Sequence, residues 1–131
     1  MSLHKILFLL AAILCGLGAL AHEILGAPQV LDPLKGSGLD DSVIWLHHFS
    51  WHVGTVAVLA MVAMYLLAIW HKAGAIFAVI ASSMSAGFAA LGLSLAIFGN
   101  AALWTTPAPY PWGIIAIIGF LGVFLSGRAA K

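Results

Sequence analysis

Four long apolar runs, at 6–21, 48–70, 73–98 and 110–126, constrain this chain more than any other feature. A helix that spans a bilayer needs about 20 mostly apolar residues, within a range of roughly 17 to 25. Backbone polar groups inside hydrocarbon must be paired within their own segment, so runs of this length are helices rather than single strands. The rest of the composition agrees. The chain is 63% hydrophobic and 7% charged, whereas a soluble domain carries roughly 25% charged residues. It cannot cover itself with a wettable surface. The expected architecture is therefore all-α: one transmembrane domain over 1–131, an integral membrane four-helix bundle surrounded by lipid.

The charges orient it. Lys5, Lys72, Arg128 and Lys131 fall at the N-terminus, the turn between the second and third runs, and the C-terminus. Four spans put these three places on one side. The connection between the first two runs holds Glu23, Asp32, Asp40 and Asp41, all the acids in the chain, and only Lys35. The positive-inside rule then predicts an N-in/C-in protein, with both termini in the cytoplasm. One processing alternative stays open. The stretch "MSLHKILFLLAAILCGLGALA" has a basic start, an apolar centre and a small-residue end, so it also fits a cleavable signal peptide. Cleavage would leave three spans with their topology unchanged.

On this topology "LHHFSWHVGT", residues 46–55, stands at the outer mouth of the second helix. His22 and Glu23 end the first helix at the same face, so four of the six histidines gather with all four acids. At about 100° per residue, His48 and His52 share one stripe, which Thr55 continues inward. His47 and Trp51 form a neighbouring stripe. An i,i+4 histidine pair can offer two imidazoles to zinc, copper or iron. His22 or Glu23 would complete the site, or the carboxylate would hold a ring in its tautomer. The same residues permit a redox reading, with His22 and His52 as axial ligands of haem b, or with a quinone between the first two helices. The plain alternative is an interfacial belt, since Trp45, Trp51, Trp104, Tyr110 and Trp112 fall at this face beside the histidines. His52 fits the belt least well because it is the deepest of the outer group, and an imidazole there wants a partner.

The segment 24–41 mixes leucines and valine with prolines and glycines, and is expected to lie along the outer interface over the bundle mouth. "GSG" at 36–38 is its flexible point. In the third span, Ser83 with Gly87 and Ala86 with Ala90 form small-xxx-small steps, a face for close helix packing within the chain or in a homo-oligomer or larger membrane complex. Asp40 or Asp41 suits the N-cap of the second helix, and Pro111 the first turn of the fourth.

Several function classes find no support. No basic run exists for nucleic acid, and the single Cys15 forms neither a disulfide nor a CxxC motif. No Asp, Glu, Lys or Arg lies mid-span, which disfavours ion-coupled transport. Nothing resembles a hydrolase or kinase motif. What remains is a small accessory or interaction protein of the membrane, with a metal site at its outer rim as the sharpest form.

"GAPQVLDPL" followed by "FSWHVGTV" resembles a group of small bacterial four-helix membrane proteins of uncharacterised function. They share a Pro-Leu element after the first helix and a Trp-His-x-x-Thr element opening the second. Here these are Pro33-Leu34 and Trp51-His52-Val53-Gly54-Thr55. The resemblance covers about the first half of the chain. It implies a bacterial cytoplasmic membrane, a helical bundle, and attention to His52 and Thr55, with Thr55 bonding to His52 or to the preceding turn.

Overall fold

A computed structural model describes residues 1–129 and contains four long helices. Helix α1 runs over Leu3–Leu34, α2 over Asp41–Trp70, α3 over Gly74–Gly99 and α4 over Pro111–Ala129. Each is long and apolar enough to cross a membrane, and no strand occurs among the described residues. The protein is thus an all-helical bundle with four potential spans. Lys131, counted above among the basic residues, lies outside the described residues.

The helices form a ring. α1 packs against α2 and α4, and α3 closes the ring against the same two. Short connections make neighbours antiparallel, the up-down-up-down arrangement of simple bundles. Outward positions such as Leu17, Val56, Leu59, Ile76, Ile117 and Phe124 are exposed. That pattern suits a chain whose outer surface meets lipid rather than water, because lipid tails are as apolar as these side chains.

The half of the bundle nearest the termini is tightly packed. Phe8, Cys15, Met61, Tyr65 and Ile115 are almost completely buried with Ala11, Ala78 and Ala81. Ser82 is buried too, and donates to the Ala78 carbonyl at 2.7 Å while accepting from the Tyr65 hydroxyl at 3.1 Å. Ser85 donates to the Ala81 carbonyl at 3.2 Å. These bonds keep polar groups satisfied where no water competes. Gly119 lets α4 approach this pair, since a Cβ there would run into Ser82 Oγ and the Tyr65 hydroxyl. Gly122 does the same about one turn on, where a Cβ would lie 2.6 Å from the Phe8 ring.

The packing face of α3 is therefore Ala78, Ala81, Ser82 and Ser85. The small-residue steps, expected to pack within the chain or between chains, do not face this interior. Ser83, Ala86, Gly87 and Ala90 are exposed on the outer side of the ring, and a Cβ at Gly87 would meet nothing within 4 Å. A stripe one residue out of register turns by about 100°, which moves it from the interior to the surface.

The first helix also differs from expectation. Its apolar run ends at Ala21, yet the helix continues through a π-helical turn, His22–Gly26, and on through Ala27–Leu31 to a 3₁₀ turn, Asp32–Leu34. Pro28 and Pro33 sit in the first turn of their segments, where a missing N–H costs nothing. The widened turn, in which the Ala27 N–H donates to the His22 carbonyl, admits Pro28 without breaking the helix. Much of the segment 24–41 is thus a helical continuation of α1. The chain finally turns at Gly36 and Gly38, both at left-handed φ of 76° and 77°, which glycine adopts without a Cβ penalty. Asp40 holds the N-cap position of α2 without a side-chain cap bond.

Candidate functional site

The end of the bundle that carries the acids holds both a polar cluster and a cavity. The π-helical turn presents His22 and Glu23 toward α2, where Trp51, His52 and, one turn on, Thr55 come forward. Glu23 Oε1 accepts from the His52 Nδ1–H at 3.2 Å and from the Thr55 hydroxyl. Glu23 thus links α1 to α2 at this end of the bundle. Thr55, expected to bond His52 or the preceding turn, instead joins His52 on the shared carboxylate.

His22 takes a different partner. Its ring lies flat on the Trp51 indole, with centroids 3.8 Å apart and planes within 9°. Its Nε2–H donates to the Trp51 carbonyl at 3.3 Å. Gly26 makes room for the same indole, because a Cβ there would come within 3.0 Å of it. Trp51 Nε1, by contrast, is buried without a hydrogen-bond partner. A buried donor left unpaired costs roughly 1–3 kcal/mol, so this one calls for an explanation.

The remaining histidines stand apart. His48 lies one turn before His52, with ring centroids 6.4 Å apart, and tilts against Trp45 at 5.1 Å. His47 is exposed and donates its Nδ1–H to the Val43 carbonyl at 3.0 Å. The structure thus brings together Glu23, His52 and Thr55, with His22 and Trp51 as a second, stacked pair. It does not draw His22, Glu23, His48 and His52 to one point. Among the described residues, no three His, Cys, Asp or Glu side chains are arranged to hold a metal ion. Nor do His22 and His52 face each other as axial ligands would, since one ring is stacked on indole and the other turned to the carboxylate.

The cavity is what sequence reasoning missed. It has a volume of about 770 Å³ and lies between all four helices, behind the His22–Trp51 stack. Gly18 and Ala19 of α1, Gly54 and Val58 of α2, Phe88 and Leu91 of α3, and Trp112 of α4 form its walls. The loop from Leu103 to Pro109 closes one side, and Gly92 lets that loop approach, with a Cβ there 3.1 Å from Pro109. Its few polar edges come from His22, Gln29, Trp51, Thr55 and Thr106. Phe88 and Trp112 meet edge to face at 5.0 Å. The sequence trace of this space is the small residues Gly18, Ala19 and Gly54 that line it, where larger side chains would have filled the interior.

Such a space, mostly apolar with a few polar groups at its edges, has the size and character of a small-molecule site. His22 is held by its Nε2–H, so its Nδ1 keeps a lone pair able to accept a hydrogen bond. Compared with known protein families, with characterised proteins and with solved structures, the chain matches none of them.

Proposed function

We propose that this chain is a small multi-pass protein of the bacterial cytoplasmic membrane, with both termini cytoplasmic, that binds a lipophilic ligand with a polar head, of the isoprenoid-quinone type. The observation that carries this reading is the cavity of about 770 Å³, largely apolar with a few polar groups at its edges. The orientation rests on Lys5, Lys72 and Arg128 standing at one end and the four acids at the other.

Depth supports the choice of ligand. Eighteen residues separate Lys5 from Glu23, and the same number separates His52 from Trp70, a rise of about 27 Å. With the basic end at one boundary of a roughly 30 Å hydrocarbon layer, Glu23 and His52 stand near the other. The cavity reaches inward from there, so a ligand would keep its head beside His22 and Trp51 and its tail in apolar surroundings. A ligand hydroxyl would donate to His22 Nδ1.

The test is a titration of the full-length, detergent-purified protein with decylubiquinone, read by tryptophan fluorescence, alongside quinone analysis of an organic extract. Saturable quenching near one equivalent, lost in Gly18→Leu, is the expected result. A quinone-free extract together with no saturable quenching would overturn the reading.

A second reading, a zinc, copper or iron site at this rim, is favoured by one observation. Glu23 holds His52 through Nδ1–H, which leaves the Nε2 lone pair free with His48 one turn away. Carboxylate-oriented imidazoles of this kind are usual around bound metals. One metal ion per chain in untagged protein, lost in His52→Ala, would establish it. An intense visible haem band on the same sample would instead favour haem b.

A further inference from the structure

The opposite end of the bundle holds a second cavity of unlike chemistry. It has a volume of about 330 Å³ and lies between the start of α1, the turn joining α2 to α3, and the last turns of α4. His4, Lys5, His71 and Lys72 line it, with Ser126 on the far wall. No aspartate or glutamate stands at this end, because Glu23, Asp32, Asp40 and Asp41 all belong to the other.

Among the described residues, the ion pairs are Lys35 with Asp32 and His52 with Glu23, so neither Lys5 nor Lys72 meets an acidic side chain. Lys5 is partly buried and lines the pocket beside Phe8. His71 adds a directed donor. The Ala73 backbone N–H donates to its Nδ1 at 3.1 Å, so the ring hydrogen sits on Nε2. α1 and α3 both begin at this end, and neither receives a side-chain bond from its N-cap residue. Their positive dipole ends add to the same field. Phe8, Ile69 and Trp70 supply an apolar margin, and Trp70 is 73% exposed.

We infer that this basic pocket binds a phosphate group, carried by an anionic phospholipid headgroup or by a free phosphate. The two lysines supply point charges, His71 supplies a donor, and Trp70 lies where the glycerol and upper acyl chain of a lipid would run. Basic pockets between transmembrane helices hold anionic lipid headgroups on the same electrostatic grounds. The site is independent of the apolar cavity and stands or falls separately from any ligand there.

Native mass spectrometry of the full-length protein, titrated with dioleoylphosphatidylglycerol and in parallel with dioleoylphosphatidylcholine, tests it. The expected result is preferential retention of the anionic lipid. Lys5→Gln combined with Lys72→Gln should weaken that retention about thirtyfold, Lys5→Arg with Lys72→Arg should preserve it, and Lys35→Gln at the far end should not matter. Displacement of the lipid by millimolar inorganic phosphate would assign a free-phosphate site, and resistance to it a lipid site. Equal retention of the two lipids, or a folded glutamine double variant that binds like wild type, would overturn the inference. Should that variant unfold, wild-type retention compared between about 0.05 and about 0.5 M salt decides. Loss of the anionic lipid supports the site, and indifference to salt refutes it.

Discussion

The two halves of this bundle are built from the same kinds of residue and end in opposite states. Near the termini, Phe8, Met61, Tyr65 and Ile115 fill the interior, and Gly119 and Gly122 bring α4 close enough to touch them. Toward the acidic end, Gly18, Ala19 and Gly54 line a cavity of about 770 Å³. Glycine does opposite work in the two places. At 119 it is a contact, and at 18 it is an absence of one. In a bilayer, packing itself rather than expulsion of water from between helices drives association, so the packed half holds the bundle together. The hollow half is free to serve a ligand.

That contrast is open to direct attack, and the largest effect should come from Gly119→Ala. Its methyl would strike Ser82 and Tyr65, an overpacking that costs about 2 kcal/mol, read as a lower unfolding midpoint in detergent. Gly18→Ala is the matched control in the hollow half. A Cβ there meets nothing within 4 Å, and removing a helical glycine stabilises by up to about 1 kcal/mol. If the two substitutions moved the midpoint equally, the distinction between the halves would be lost.

Tyr65→Phe should be milder, at about 0.6 kcal/mol, the average for such bonds between membrane helices. Ser82 keeps its bond to the Ala78 carbonyl, so no donor is orphaned. A loss of several kcal/mol would mean that the buried pair organises the packed half rather than merely satisfying it. Glu23→Ala should have the smallest effect on stability, about 0.5 kcal/mol, because His52 and Glu23 are partly exposed. Its sharper readout is the His52 imidazole in nitrogen NMR. With the carboxylate gone, nothing holds the ring hydrogen on Nδ1, and the Nε2–H tautomer should gain population. An unchanged tautomer would break the pair assigned here.

Much of the fold was legible without coordinates. Apolar length alone specified four helices. The turn between α2 and α3 is as short as the spacing of the second and third runs required, with only His71, Lys72 and Ala73 in it. That Glu23 and His52 stand at one end of the bundle followed from their places at the ends of successive apolar runs. The fate of His22 did not. Its ring could equally have pointed toward His52, and the π-helical turn at His22–Gly26 rotated it onto Trp51 instead. The outward turn of Ser83, Ala86, Gly87 and Ala90 was hidden for a related reason. On a helix that is apolar all round, nothing in the pattern separates the inner stripe from the outer one.

The sequence by itself determined the apolar surface, the helices and the segregation of charge, because these depend on composition and on periodicity along a single segment. The tertiary structure alone decided which face of each helix looks inward, where the interior is filled and where it is hollow, and which imidazole meets which partner. Those outcomes depend on the rotation of one helix against another. In a chain whose outward-facing and inward-facing surfaces are equally apolar, rotation is set by shape and by a few hydrogen bonds, and neither can be read along one segment at a time.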